Sequence, residues 1–288
     1  MPSLRQIRRR IRSVQSTAKI TRAMEMIAAS KMRRAQAAVL AGRPYSEKIL
    51  EVIAHLAAQP RDEESAVHPL LQVRPVKRIE VIHISPDRGM CGGLVSALNR
   101  STAQFILERK STPISVVSAG RRGRDFMVRY GQDLRASFTD LGDRPRLADT
   151  LAISHIAIDD YTSGFADEVY VTTAQFVSTT VQRPIMHRLL PVAPAELPAS
   201  ERVGYIYEPD SLHVLQSLLP RFVEMEVYHA ILEEIASEQS ARMVAMRNAT
   251  DNAKGMIEEL TLLMNKLRQE TITKELLDIV GAVSALEA

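Results

Sequence analysis

At 288 residues, 45% of them apolar and 25% charged, the chain has the composition of a folded protein of one large domain or two smaller ones, not of a disordered tail. Its single cysteine, Cys91, excludes an intrachain disulfide framework and a four-cysteine zinc site, and no run of about 18 apolar residues exists to span a bilayer. The formal charge of +3 conceals opposed ends: residues 1–36 carry ten Arg or Lys against Glu25 alone, whereas residues 221–288 carry seven bases and twelve acids. Such a distribution favours pairing the two ends and leaves the basic one a surplus for an acidic partner.

Proline divides the chain. Residues 3–43 and 221–288 contain none, while twelve of the fourteen prolines fall between Pro60 and Pro220. The spacing predicts two long terminal helices enclosing a compact middle. At the N-terminus, MPSLRQIRRRIRS is basic but lacks an apolar signal core, so it reads as the mature start of a helix rather than a leader. Ser3 can cap that helix, whose stripe runs Leu4, Ile7, Ile11, Val14, Ala18 and then, less strictly, Ile20, Met24, Ile27, Met32 and Ala35. Gly42 and Pro44 predict a weak point where a bend can form, with helix resuming from Tyr45 to about Ala58 and ending before Pro60 and the charged run Arg61–Glu64.

The middle alternates strand and helix. Residues 76–84 read as a strand that enters Asp87-Arg88-Gly89-Met90-Cys91-Gly92-Gly93 and then a helix over Leu94–Arg109. A second strand, Ile114–Ser118, is followed by Ala119-Gly120-Arg121-Arg122-Gly123 and helix through Tyr130. Residues 145–163 read as helix with Leu147, Leu151, Ile158 and Tyr161 on its apolar side; Glu168–Phe176 and Arg202–Tyr207 read as strands, and 191–201 as a loop. This pattern predicts a small, largely parallel α/β sheet.

The glycines of the Asp87–Gly93 loop follow a strand and precede a helix, where phosphates bind in dinucleotide-binding and P-loop folds. The loop has neither GxGxxG spacing nor a Lys-Ser/Thr ending. It allows two readings, a tight turn with close backbone packing or a weaker anion nest. Cys91 has no histidine partner in sequence and fits a buried small side chain better than a nucleophile. The seven histidines, at positions 55, 68, 83, 155, 187, 213 and 229, form no HxH or HExxH cluster, and the paired acids sit on helices where neighbours do not face each other. No catalytic, cofactor-binding or metal-binding residue is therefore assigned, and no cofactor is expected.

The C-terminal stretch is the most regular. Met225, His229, Leu232, Ala236, Gln239, Met243, Met246, Thr250, Ala253, Ile257, Leu260, Met264, Leu267 and Thr271 alternate four and three apart, which predicts a coiled-coil seam in a helix from Leu212 to near Leu286. This helix outlasts the N-terminal one, so an antiparallel pairing within one chain would leave part of it projecting alone; a homodimeric coiled coil is the alternative. The final segment adds Ile272, Leu276, Leu277, Ile279, Val280 and Val283, an apolar surface wider than one seam.

Three segments together resemble the gamma subunit of F-type ATP synthase: Ile7–Met32 (IRRRIRSVQSTAKITRAMEMIAASKM), Asp87–Gly93 (DRGMCGG) and Arg268–Ala282 (RQETITKELLDIVGA). Glu270 departs from the small residue common in that family, and the cysteine-bearing regulatory insert of the chloroplast type is lacking. The resemblance implies an α/β fold in which a long antiparallel coiled coil of the N- and C-terminal helices surrounds a Rossmann-like central domain with a small, mostly parallel sheet. Its implied divisions are residues 1–59 and 211–288 for the two shaft helices and 76–208 for the central domain. It also implies a non-catalytic rotor that transmits torque from an ion-driven c-ring. The implied partners are three alpha and three beta subunits, the epsilon subunit and the c-ring, with one copy per complex and peripheral attachment to the cytoplasmic face of the bacterial plasma membrane. By resemblance, Lys19, Arg22, Lys31, Arg33 and Arg34 face acidic levers on the beta subunits, Met24 lies in a contact region, and Arg268-Gln269 form a polar catch near the tip. The rivals are a nucleic-acid-binding coiled coil, because residues 5–12 hold five arginines, and an α/β enzyme using the Asp87–Gly93 loop.

Overall fold

The computed structural model describes residues 3–57, 68–193, 208 and 210–286. In chain order they form α1 (Leu4–Ala57), β1 (Ile79–Ile84), α2 (Leu94–Glu108), β2 (Ile114–Ala119), α3 (Arg121–Arg129), β3 (Asp133–Phe138), α4 (Leu147–Thr162), β4 (Glu168–Phe176), β5 (Gln182–Leu190) and α5 (Ser211–Leu286). The chain divides into two compact units, Met1–Ile27 with Met243–Ala288, and Ala28–Arg242. The expected strand at 202–207, the end of the expected loop and Pro60–Glu64 lie outside the described residues.

In the first unit α1 begins with a capping box: the Gln6 N–H donates to Ser3 Oγ at 3.3 Å and the Ser3 N–H donates to Gln6 Oε1 at 2.9 Å. Thr21 meets Thr250, and Glu25, four residues on, meets Arg247, three residues back, so the helices run antiparallel. On α5 the expected seam holds, with Met243, Met246, Thr250 and Ala253 all buried. On α1 the expected stripe drifts out of phase. A strict heptad from Ile7 and Ile11 passes through Val14, Ala18, Thr21, Glu25 and Ala28, and the structure buries Thr21 and Glu25 while leaving Ile20 60% and Ile27 54% exposed. Register along a two-helix seam overrides the hydrophobicity of single residues, because each apolar residue out of phase faces away from the partner helix. Residues 271–282 of α5 are exposed throughout. From Thr271 to Leu286 this overhang is roughly 24 Å of single helix.

The second unit carries a five-stranded sheet in the order β3-β2-β1-β4-β5. β1 to β4 are parallel, and β5 returns antiparallel to β4 with Phe176 opposite Gln182. β1 is buried at all six positions, as a central parallel strand requires. The strand order reverses beside β1, which makes the carboxyl ends of β1 and β4 the switch point where ligands bind in open α/β sheets. Buried residues of α1 (Ile49, Ile53, Leu56), of α4 (Ile153, Ala157, Tyr161) and of α5 (Leu219, Val223, Val227, Ile231) close one core with Ile82, Val117 and Val171 of the sheet.

Several local expectations change. α1 is unbroken through Gly42 and Pro44, and α5 is unbroken through Pro220. Gly42 serves packing instead: a Cβ there would fall 2.1 Å from Cε1 of His229, so the glycine lets α1 lie against that ring. β3 and β5 escaped the sequence reading because both are edge strands, one alternating exposed and half-buried residues and the other containing Pro184. On α4 the buried side is Thr150, Ile153, Ser154, Ala157 and Tyr161; of the four expected apolar contacts only Tyr161 is fully buried.

Candidate functional site

The Asp87–Gly93 loop leaves β1 at the switch point, so the chemistry of that crevice decides between a catalytic and a structural protein. Its positive backbone angles fall at Met90 (φ 65) and Gly92 (φ 60), and Gly92 and Gly93 face open space. Asp87 turns inward. Its carboxylate accepts the Arg121 N–H at 2.8 Å and the Asp140 N–H at 2.9 Å. The chain's own aspartate thus occupies the N-terminus of α3, the position where a bound anion would otherwise meet the helix dipole. A glycine pair makes this junction: Gly120 adopts φ 114 with its α-carbon against the Ser85 carbonyl, and Gly123 donates its N–H to Ser85 Oγ at 2.8 Å.

The rest of the crevice is filled by α5. Ala241 packs with Cys91, Leu94, Leu98 and Ala174. Ser237 Oγ donates to the Ala174 carbonyl at 2.7 Å, Thr173 Oγ1 to the Ala230 carbonyl at 2.8 Å, and Arg242 Nη2 to the Gly89 carbonyl at 3.3 Å. Arg242 also pairs with Glu238, while Glu234 beside them is buried with Oε1 unpaired among the described residues. Burial foremost, then the nearby Glu238 and Asp87 charges, hold the Glu234 carboxyl well above the ordinary carboxylate range despite Arg242. Burial and Glu238 likewise push the Cys91 thiol up to about 11, so it stays protonated near neutrality. We expect thiol-directed reagents to leave Cys91 unmodified in the native protein and to label it fully in denaturant. Native labelling at the rate of a free thiol would contradict its placement at 1% exposure.

His83 illustrates the same structural use of reactive groups. It is fully buried, with Nε2 2.9 Å from Asn99 Oδ1 and Nδ1 2.9 Å from Thr102 Oγ1, and burial lowers it to about 4, leaving a neutral ring that fastens α2 to β1. Among the described residues no group of three His, Cys, Asp or Glu side chains could hold a metal ion.

The residues assigned by resemblance fall in different settings. Lys19 and Arg22 are exposed on α1, and Met24 is half-buried. Arg33 and Arg34 are also exposed, Arg34 folding back onto Ser30. Two of these cations are already held by acids of this chain, Arg22 by Glu25 at 2.8 Å and Lys31 by Asp143 at 2.6 Å. Arg268 and Gln269 are exposed. The unforeseen element is the interior of the seam. The Thr21 and Thr250 hydroxyl oxygens lie 2.7 Å apart, and each also reaches a carbonyl of its own helix, Ala18 at 3.1 Å and Met246 at 2.8 Å. Glu25 takes Arg247 at 3.0 Å and Arg22 at 2.8 Å; burial would raise its carboxyl, but these hydrogen bonds outweigh burial and lower it. Heptad phase, followed strictly from Ile7, was the signal that would have found both.

In the Ala28–Arg242 unit the chain's own helix closes the switch-point crevice, and the other unit is a two-helix seam sealed with polar contacts, so long helices, not an open ligand site, dominate each. The sequence profile of the family described as ATP synthase matches residues 3–286. An ATP synthase gamma chain of Dehalococcoides mccartyi is 64% identical over 286 residues, covering 99% of this chain and all of the relative; that of Roseiflexus castenholzii is 53% identical, covering 99% of each. Among solved structures, a chain of the Euglena gracilis mitochondrial ATP synthase in rotational state 3 shares the fold with a TM-score of 0.65 at 16% identity, covering 98% of this chain and 94% of that one. A chain of the Tetrahymena thermophila central stalk and c-ring structure has a TM-score of 0.60 at 24% identity, covering 80% and 99%. The chain belongs to the ATP synthase gamma chain family. It is a non-catalytic central-stalk rotor subunit, and nothing favours the nucleic-acid reading.

Proposed function

We propose that this chain turns as the single shaft inside a ring of three alpha and three beta subunits, with the epsilon subunit and an ion-driven c-ring at its foot. Residues 1–59 and 211–288 supply the shaft helices and 76–208 the foot, and no residue of the chain is catalytic, cofactor-binding or metal-binding. ATP forms at the beta sites, whose nucleotide affinities change as the asymmetric shaft passes. The assembly lies on the cytoplasmic face of the bacterial plasma membrane, with this chain peripheral; no helix among the described residues is long and apolar enough to cross a membrane.

The observation that carries this reading is the α5 overhang. Ile272, Leu276, Leu277, Ile279 and Val280 are each between 46% and 65% exposed. At about 100° per residue they cover roughly 160° of the helix, far more than a coiled-coil seam. Such a surface marks a contact with other protein, and its width fits a sleeve around the helix. Lys19, Arg33 and Arg34 suit a housing of acidic levers, because exposed pairs worth about 0–1 kcal/mol can break and re-form at each step. Purification of the complex from membranes through a tag on this chain should recover one copy per three alpha and three beta subunits. A stable homodimer with no such partners would overturn the assignment.

A further inference from the structure

The parallel sheet has a second edge, where β1, β2 and β4 begin, and there the side chains are cationic. A cavity of about 480 Å³ is lined by Arg74, Lys77, Arg78, Pro113, Phe165 and Asp167. Its one carboxylate is already engaged: Asp167 Oδ2 accepts the Lys77 N–H at 2.7 Å and the Arg78 N–H at 3.1 Å, and Oδ1 lies 4.0 Å from Arg74 Nε. Those contacts fasten the segment leading into β1 to the start of β4, and the Asp167 N–H returns a bond to the Arg78 carbonyl at 2.9 Å. The lining is therefore rigid, and the cations outnumber the acid.

The cations are also poised. The Arg78 guanidinium lies 4.4 Å above the Phe165 ring, which holds it flat and leaves its N–H edge for an acceptor. Arg74 stacks 4.5 Å over Tyr161 and is turned inward, its Nη2 donating to the Tyr161 and Ala166 carbonyls, so it lends charge to the cavity while Lys77 and Arg78 are the groups left to meet a ligand. Lys77 is exposed, and neither it nor Arg78 has a carboxylate partner there. Gly164 turns the chain beside Arg74 with φ 78, a conformation that favours glycine. An aromatic floor beneath a flat guanidinium and an exposed ammonium fits a tetrahedral oxyanion carried on a small organic group.

We propose that this cavity binds a phosphate-bearing group, a monoester or diester, at the sheet edge opposite the closed crevice. The group is either a phospholipid headgroup or a soluble phosphate ester, and two probes separate these sources. The full chain is titrated with glycerol phosphate by calorimetry, and sedimented with phosphatidylcholine vesicles containing about one-fifth phosphatidylglycerol. Saturable binding of either probe is expected, with vesicles alone marking the lipid source and glycerol phosphate the soluble one. Replacing both Lys77 and Arg78 with alanine should weaken the successful probe roughly tenfold or more, as expected for loss of two charge-assisted hydrogen bonds. Replacing the exposed Arg88 and Arg100, which remove equal charge away from the cavity, should weaken it less than about twofold. Should Arg78→Ala fail to fold, Lys77→Gln alone, on an exposed side chain, carries the test with an expected loss of roughly threefold. Equal weakening by the two pairs of substitutions, or no saturable binding of either probe, would overturn the proposal.

Discussion

Replacing Gly120 with alanine is expected to destabilise the Ala28–Arg242 unit by about 4 kcal/mol, a large share of the 5–15 kcal/mol typical of a whole domain. Two costs add. At φ 114 and ψ 141 the backbone lies in a region that is nearly exclusive to glycine, and a Cβ would stand 1.8 Å from the Ser85 carbonyl oxygen. That oxygen belongs to main chain at the end of the central strand, so no rotamer change relieves the clash; β1 and α3 must part. The Gly120 N–H bond to the Phe138 carbonyl, at 2.7 Å, would be strained as well. Urea unfolding followed by the modification rate of buried Cys91 reports on this unit directly. A midpoint shift equivalent to less than about 1 kcal/mol would mean that the junction is softer than described.

The second large effect concerns pH. Glu80 sits fully buried on β1 beside the Asp160 carboxylate, to which it can donate a hydrogen bond only when protonated. Burial first, and the neighbouring Asp160 second, push it up to about 8, against a smaller opposing pull from Arg135. Asp160 itself is kept ionised by Arg135, which grips it through Nε at 2.9 Å and Nη2 at 3.0 Å. The native state therefore holds a proton that the unfolded chain releases near its ordinary carboxylate value. Stability contributed by this proton is complete below that value and is lost as pH rises to about 8. Glu80→Gln should remove the slope, leaving the variant on the order of 3 kcal/mol more stable than the parent at pH 9 and nearly equal to it at pH 4. Stability curves of the two proteins that run parallel across this range would show that Glu80 does not titrate there.

Periodicity carried the sequence reading furthest where it was strict. The α5 seam followed from spacing alone, because Met, Ala and Thr at four-and-three intervals need no tertiary information to specify a face. On α1 the same rule held, yet Ile20 and Ile27 drew the stripe out of phase, since a polar Thr21 and an acid at Glu25 look unlike seam residues until their partners Thr250 and Arg247 are known. Charge reasoning met a similar limit. The basic end and the acidic end do pair, but their inter-helix ion pair places the acid on α1 and the base on α5. The edge strands β3 and β5 were missed because half-exposed strands lack the apolar run that marks β1. The loop's position was legible, while its closure was not. Asp87 reaches α3 and the Asp140 backbone, and Ala241 reaches Cys91, across separations that only the folded chain sets.

The filling of the switch-point crevice by α5 also governs how the protein can be made. Leu94 and Leu98 leave the ribosome well before Ala241, which covers them. At about 5–20 residues per second the delay is roughly 7–30 s. Throughout it, the sheet can pair its strands, but its core lacks the wall supplied by Leu219, Val223, Val227 and Ile231. The nascent chain thus presents a half-built apolar surface that nothing encoded earlier can hide. Translation must run past Arg242, well inside α5, before the core of the central unit is complete, which makes this stage of synthesis the natural point for a chaperone to hold the chain.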